Sequence, residues 1–286
     1  MKKKAVLYIG GGAMAGVFGA GVVTGLQEVN AYEKFSHAYG ASAGAFDIAY
    51  FLAKQTRKGS SIYWEDLIKG FINFSNLPKA IMNIILGRKN FPNVVDINYV
   101  IKVVQTIKEL DLEEIRKNPI EAKVKVYNLI KKRIEYLDLK KNTLERLKES
   151  SSVIPYFYFK NQENIDGEGL DCLGYDFLRK EHPQQKLIFV INQGIKRRVL
   201  RQLRNLLEGK LISKIFDDST LGKRFSENAA RIEEECEKIR RDKNALLITP
   251  PENNPTSNTT RNPNKLRYTH SLGIAECQKI LEFIKE

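Results

Sequence analysis

The segment Gly40-Ala41-Ser42-Ala43-Gly44 constrains this chain more than any other. A serine held between two glycines as G-x-S-x-G fits a sharp strand-to-helix turn that leaves its hydroxyl exposed. A turn that tight brings backbone against backbone, so a Cβ at Gly40 or Gly44 collides or forbids the φ required. The residues between the glycines are small, which leaves room for a carbonyl group to approach the hydroxyl. Residues 45–53 (AFDIAYFLA) read as a buried helix, whose N-terminus directs its partial positive charge at the serine. The pattern is short enough to recur by chance in 286 residues, so its meaning depends on the surrounding sequence.

Upstream, residues 5–9 (AVLYI) form an apolar run bounded by Lys2-Lys3-Lys4 and Gly10-Gly11-Gly12, the signature of a short buried strand. Residues 13–28 follow as a helix of small side chains able to pack closely on a sheet. Three readings fit this stretch. Three lysines before some twenty uncharged residues resemble a signal peptide or membrane anchor, but seven glycines crowd the run. A dinucleotide fingerprint is broken by Ala15 at the sixth position of G-x-G-x-x-G, and its acidic partner has no clear counterpart. The third reading makes the backbone amides of Gly10, Gly11 and Gly12, with that of Ala43, an oxyanion hole serving Ser42. Only this one uses both motifs.

A serine nucleophile needs a base. The histidines are His37, His182 and His270. His37 is too near Ser42 in sequence to fold back on it, His182 lies in a charged Lys-Glu-His-Pro segment, and His270 precedes the last helix; the latter two are expected at the surface. Asp166 is the better candidate. It is followed by Gly167, in a loop (NIDGEGLD) where a carboxylate can be aimed without hindrance, although an ordinary Asp-Gly turn fits the same residues.

Taken together, Gly10-Gly11-Gly12, Gly40 to Gly44 around Ser42, and Asp166-Gly167 resemble the patatin-like phospholipase family. That family carries a glycine-rich oxyanion motif, G-x-S-x-G and a later Asp-Gly pair in this order. Ser150-Ser151-Ser152-Val153-Ile154-Pro155 is similar to the serine-rich segment preceding its aspartate. The resemblance covers roughly residues 5–55 and 120–192. It implies an α/β fold, a three-layer α/β/α sheet with helical insertions, and a Ser42–Asp166 dyad acting on phospholipids, lysophospholipids or neutral lipids without metal or cofactor. Two departures stand out. Met14-Ala15 occupies the place of the usual basic residue, and Glu168 stands where glycine or alanine is normal, so a second carboxylate sits beside Asp166.

At this length we expect one catalytic domain spanning 1–286, with its core in 5–55 and 120–286. A helical, lid-like insertion is expected at about 55–120, and a charged helical excursion outside the core at about 209–243. Further strands are expected over 123–139, 186–191 and 245–249, a mobile surface loop over 250–264, and a closing helix over 272–284. Three widely spaced cysteines argue against a disulfide framework or zinc site and fit a reducing, cytoplasmic compartment, with peripheral membrane association or delivery as an effector as variants. The net charge of +13 speaks about partners. No nucleic-acid motif accompanies it. Its densest stretch, residues 196–207, has Leu200, Leu203, Leu206 and Leu207 flanked by arginines, which fits either a helix packed on the sheet or one attracted to anionic lipid. The expected partner is therefore a lipid substrate at an anionic membrane or micelle surface. The rival class is a catalytically silent protein that binds membrane or nucleic acid through its basic surface.

Overall fold

In the computed structural model, which describes residues 4–88, 90–157, 162–194 and 198–285, strand-forming runs assemble into one seven-stranded sheet. The strands are β1 (Ala5–Ile9), β2 (Phe35–Gly40), β3 (Glu121–Asn128), β4 (Arg133–Asp138), β5 (Asn164–Asp166), β6 (Leu187–Val190) and β7 (Ala245–Ile248). Their order is β4-β3-β2-β1-β6-β7, with β5 paired to β3 off that path. From β3 through β7 all neighbours are parallel, whereas β4 and β5 run antiparallel to β3. Parallel strands are covered on both faces, which is why β1 and β6 are continuous apolar runs buried at every residue.

The helices are α1 (Val17–Glu28), α2 (Ala43–Leu52), α3 (Thr56–Glu65), α4 (Leu67–Gly70), α5 (Leu77–Ile85), α6 (Ile97–Lys102), α7 (Leu112–Lys117), α8 (Thr143–Ser150), α9 (Tyr175–Glu181), α10 (Arg198–Phe216), α11 (Ser219–Ser226), α12 (Asn228–Arg241) and α13 (Pro263–Lys285). The two-residue period of β1 sorts the layers. Leu7 and Ile9 pack with Phe18, Val22 and Leu26 of α1, residues of α2, and Cys277 and Ile280 of α13. Val6 and Tyr8 face the other way, onto Leu178 of α9 and Cys236 and Ile239 of α12. This is the three-layer α/β/α arrangement. The glycines of α1 have a packing reason. A Cβ on Gly21 would lie 2.1 Å from the His270 carbonyl oxygen, and one on Gly273 would lie 2.1 Å from that of Phe18, so α1 and α13 cross backbone to backbone.

Several sequence expectations change. The charged stretch 209–243 is not outside the core, because α12 carries buried Cys236 and Ile239 and supplies much of the second helical layer. Its charge density describes only the outer face of that helix. The stretch 55–120 serves both core and cavity: α3 packs with α1 and α13, and residues of α3, α4 and the segment 71–100 line a large cavity. Residues 250–262 carry no regular structure but are tied down, since the Met14 amide donates to the Asn258 carbonyl (3.3 Å), Gln193 to the Asn258 side chain (2.5 Å) and Arg261 to the Ile72 carbonyl. The closing helix begins at Pro263, ahead of the expected start, with buried Leu266 and Thr269 in its first turns. Thr269, polar yet fully buried, hides that start from an apolar periodicity. Lys196 and Arg197 of the basic segment, and Lys89, lie outside the described residues.

Candidate active site

The sheet topology brings the three sequence motifs to one edge. β1 ends at Ile9, paired with Gly40 at the end of β2 and Val190 at the end of β6, so the loops after all three leave the same carboxyl edge. In open parallel sheets that edge is where ligands bind. β3 then sets the distance between serine and aspartate. Its first half pairs with β2, Val124 opposite Gly40, and its second half pairs with β5, Val126 opposite Asp166. β5 runs against β2, so the two strands end facing each other, two β3 residues apart. At about 3.3 Å per residue that leaves roughly 7 Å, which Ala41 and Ser42 span.

The turn itself is as tight as its sequence requires. A Cβ on Gly44 would stand 2.2 Å from the Ile9 carbonyl oxygen, and one on Gly40 2.6 Å from the Ala45 Cα. Ser42 has φ 51° and ψ −123°, a left-handed conformation that an L side chain adopts only when the surroundings impose it. The imposing bonds are the Gly44 amide to the Ala41 carbonyl (2.9 Å), the Ala41 amide to Ile9 (3.1 Å) and the Ser42 amide to the Ser150 hydroxyl (3.0 Å). Ser150 in turn donates to the Lys125 carbonyl on β3 (3.0 Å). The serine-rich segment thus fastens the Ser42 backbone to β3, the strand against which Asp166 is paired.

The Ser42 side chain faces the Asp166 carboxylate, which accepts the Glu168 amide at 2.8 Å. Burial pushes the Asp166 carboxyl up from an ordinary 3.8 to about 6, against the lowering effect of the Glu168 amide, the Ser42 hydroxyl and Lys125. Burial likewise lifts Glu168 to about 7; Lys125 pulls it down, and the neighbouring Asp166 adds to the rise. Lys125, on β3, has no exposed side-chain surface, and its ammonium donates to the Asp171 and Cys172 carbonyls at 2.5 Å each. That grip closes the loop behind Asp166, while the cation offsets part of the cost of two half-buried carboxylates. Gly167 is required for the same packing, since a Cβ there would meet the Lys125 side chain at 2.9 Å and β3 backbone at 3.0 Å.

The glycine loop is only partly the donor set its sequence promises. The Gly10 amide is spent on the Val190 carbonyl (2.9 Å) and belongs to the sheet. The Gly11 amide donates to the Glu168 carboxyl. Gly12, at φ 147°, and Ala43, the first residue of α2, show no amide acceptor among the described residues; Ala43 is one of the orphan donors at a helix start. The loop is shaped by Asn192, fully buried just past β6. Its amide donates to the Gly10 (2.6 Å) and Gly11 (3.1 Å) carbonyls and its oxygen accepts from Gly19 (2.8 Å). Asn192 therefore holds both carbonyls turned away, in the absence of a basic residue at Met14-Ala15. Sequence reading missed it, although a polar residue ending a buried parallel strand is a usable signal.

Ser42 and Asp166 open into a cavity of about 450 Å³, within the usual range for small-ligand sites. Besides Gly11, Gly12 and Ala43 its walls are mostly apolar, among them Phe46, Leu67, Phe71, Val100 and Ile154. α10 lies over it, with Asn205, Glu208 and Ile212 facing inward. The outer face of α10 exposes Leu203 (54%), Leu206 (51%) and Leu207 (63%), so that part of the stripe does not pack on the sheet. None of the three histidines lines this cavity. His182 is buried rather than superficial, bonded to the Tyr39 hydroxyl (2.9 Å) and Gln185 (2.8 Å). His270 lies inside α13, against Thr24 and the Trp64 ring.

A family model described as patatin-like phospholipase matches residues 7–272. Among solved structures the chain is similar to VipD from Legionella pneumophila, with 14% identity and a TM-score of 0.49, over 98% of this chain and 67% of that one. No curated protein matches it.

Proposed function

The chain belongs to the patatin-like phospholipase family, a family of lipid acyl hydrolases, and from that premise we propose that it cleaves carboxylic esters of phospholipids or related lipids through Ser42 and Asp166. The observation that carries this reading is the strained serine facing a half-buried carboxylate at the head of an apolar cavity. In the proposed reaction the Ser42 oxygen attacks the ester carbonyl while Asp166 takes its proton. The amides of Gly12 and Ala43, with Gly11 when its amide is free, receive the oxyanion. Collapse breaks the bond to the alcohol, which leaves with the proton from Asp166. Water, deprotonated by the same carboxylate, then releases the fatty acid from Ser42. The apolar walls hold the acyl chain. A serine-directed fluorophosphonate is expected to label the protein at Ser42, read by peptide mass spectrometry. A folded protein that takes up no label at that residue favours the silent binding protein instead.

The surface fits a lipid interface. Leu203, Leu206 and Leu207 of α10, and Met82, Ile85 and Leu86 at the end of α5, are all exposed. The two helices pack together through Ala80, Ile84, Leu211 and Ile215, and the surrounding sequence supplies Lys79, Arg88, Lys210 and Lys214. An apolar stripe rimmed by cations complements an anionic bilayer, at about 1 kcal/mol per well-placed cation. The doubly substituted Leu203→Asp/Leu207→Asp protein is expected to lose at least about tenfold in partitioning onto phosphatidylserine-containing vesicles, measured by sedimentation. Because both side chains are already exposed, its melting temperature is expected to stay within a degree or two. Unchanged partitioning would remove this face from the interface.

A further inference from the structure

Glu168 holds one of the three amides that the proposed reaction offers to the oxyanion. Its carboxyl accepts the Gly11 amide. A Cβ built on Gly11 would lie 2.8 Å from the Ser42 Cβ and 3.0 Å from a Glu168 oxygen, and one on Gly10 would lie 2.8 Å from the other oxygen. The carboxyl therefore fills the space between the glycine loop and the nucleophile. Its backbone is anchored on both sides, by its own amide to Asp166 (2.8 Å) and by the Asn228 side chain to its carbonyl (2.9 Å). Only side-chain torsions need change for the carboxyl to leave.

We propose that Glu168 is an internal inhibitor of the acyl-transfer site: its carboxylate stands in for the oxyanion on the Gly11 amide, and the site turns over only from the conformation in which Glu168 has swung away. This rests on the hydrolase reading above and adds a regulatory state to it. The physical basis is competition. An anion already held by the donor must be displaced before the donor can stabilise a developing charge, and the rate falls by the fraction of molecules in the open conformation. A charge-assisted bond to a backbone amide is stronger than one to a neutral acceptor, so the ionised carboxyl holds the donor more firmly than the protonated one. The groups facing Glu168 are Asp166 on its own loop, Lys125 from β3, Tyr8 from β1 and Tyr136 from β4. Burial holds both tyrosines neutral, and Lys125 is also shared with the carbonyls of Asp171 and Cys172. Glu168 ionises near pH 7, and Asp166 near pH 6. The wild-type rate is accordingly expected to rise through about pH 6 as the base ionises and to fall above about pH 7 as the internal anion forms.

The test is the pH profile of Ser42 acylation, by hydrolysis of an activated ester and by the rate of fluorophosphonate labelling, for wild type, Glu168→Ala and Glu168→Gln. At pH 8 Glu168→Ala is expected to exceed wild type by roughly 10- to 100-fold and Glu168→Gln by a smaller factor; below about pH 6 wild type is expected to converge with Glu168→Gln, while Glu168→Ala keeps the same lead over Glu168→Gln at every pH. Both variants should lose the alkaline fall. Glutamine keeps the shape of the side chain, so its profile decides the matter even if the alanine protein is unstable. Labelling of Ser42 at equal rates and with an unchanged pH profile in all three overturns the inhibitory role and leaves the hydrolase standing. Failure of Ser42 to label in any of them removes both.

Discussion

Ser42→Ala is expected to lower hydrolysis of a phospholipid or activated ester by roughly 10,000-fold or more, measured as kcat with the folded state checked by thermal melting. The size follows from losing the one hydroxyl held on the strained turn at the head of the cavity. The Ser150 hydroxyl is committed to the Ser42 amide and the Lys125 carbonyl, and no histidine reaches the cavity. Alanine keeps the Cβ, and hence the same left-handed backbone, and it keeps the amide bond to Ser150, so the turn should persist. What disappears is the attacking oxygen. Activity that survives in a folded Ser42→Ala protein sinks the nucleophile assignment.

Asp166→Asn is expected to cost about 100- to 10,000-fold in kcat, the range of a general base. It should also raise stability. A carboxyl whose pKa is higher in the folded protein than in the unfolded chain favours folding while it is protonated. That advantage is lost as pH climbs from about 3.8 through about 6, after which the folded state bears the full cost of a buried charge. For Asp166 the cost is roughly 3 kcal/mol at neutral pH. Asparagine keeps an acceptor for the Ser42 hydroxyl and Glu168 amide without the charge. The melting temperature of Asp166→Asn is therefore expected to exceed that of wild type by several degrees at pH 7.5 and to match it near pH 4. A variant that is both fully active and no more stable contradicts the placement of an ionised base at this position.

The stability cost and the proposed catalytic role have one origin. Partial desolvation of Asp166 brings its pKa toward working pH, where a carboxylate is a more effective base, and the same desolvation makes the ionised form costly to hold. Lys125 limits that cost from within β3. Asn192 fixes the glycine loop and Ser150 fixes the Ser42 backbone through side-chain hydrogen bonds. The site is thus supported by polar side chains drawn from β3, the end of β6 and the end of α8.

The sequence alone determined what sterics and periodicity decide locally. The turn at Ser42 follows from small residues between two glycines. The continuous apolar run of β1 specifies a strand covered on both faces, and glycines along α1 specify a helix that approaches another backbone. What the sequence left open depends on the meeting of residues far apart in the chain. Pairing of β5 against β3 places Asp166 beside Ser42; strand pairing takes the Gly10 amide out of the donor set; burial, which no run of neighbours encodes, moves two carboxyls into the neutral range and puts one of them on Gly11. α12 showed the same limit, since the charges on its outer face masked the residues that seal the second side of the sheet. Dihedral preferences act between neighbours in sequence, whereas ionisation and hydrogen-bond partners depend on neighbours in space, so they became readable only once the chain had folded.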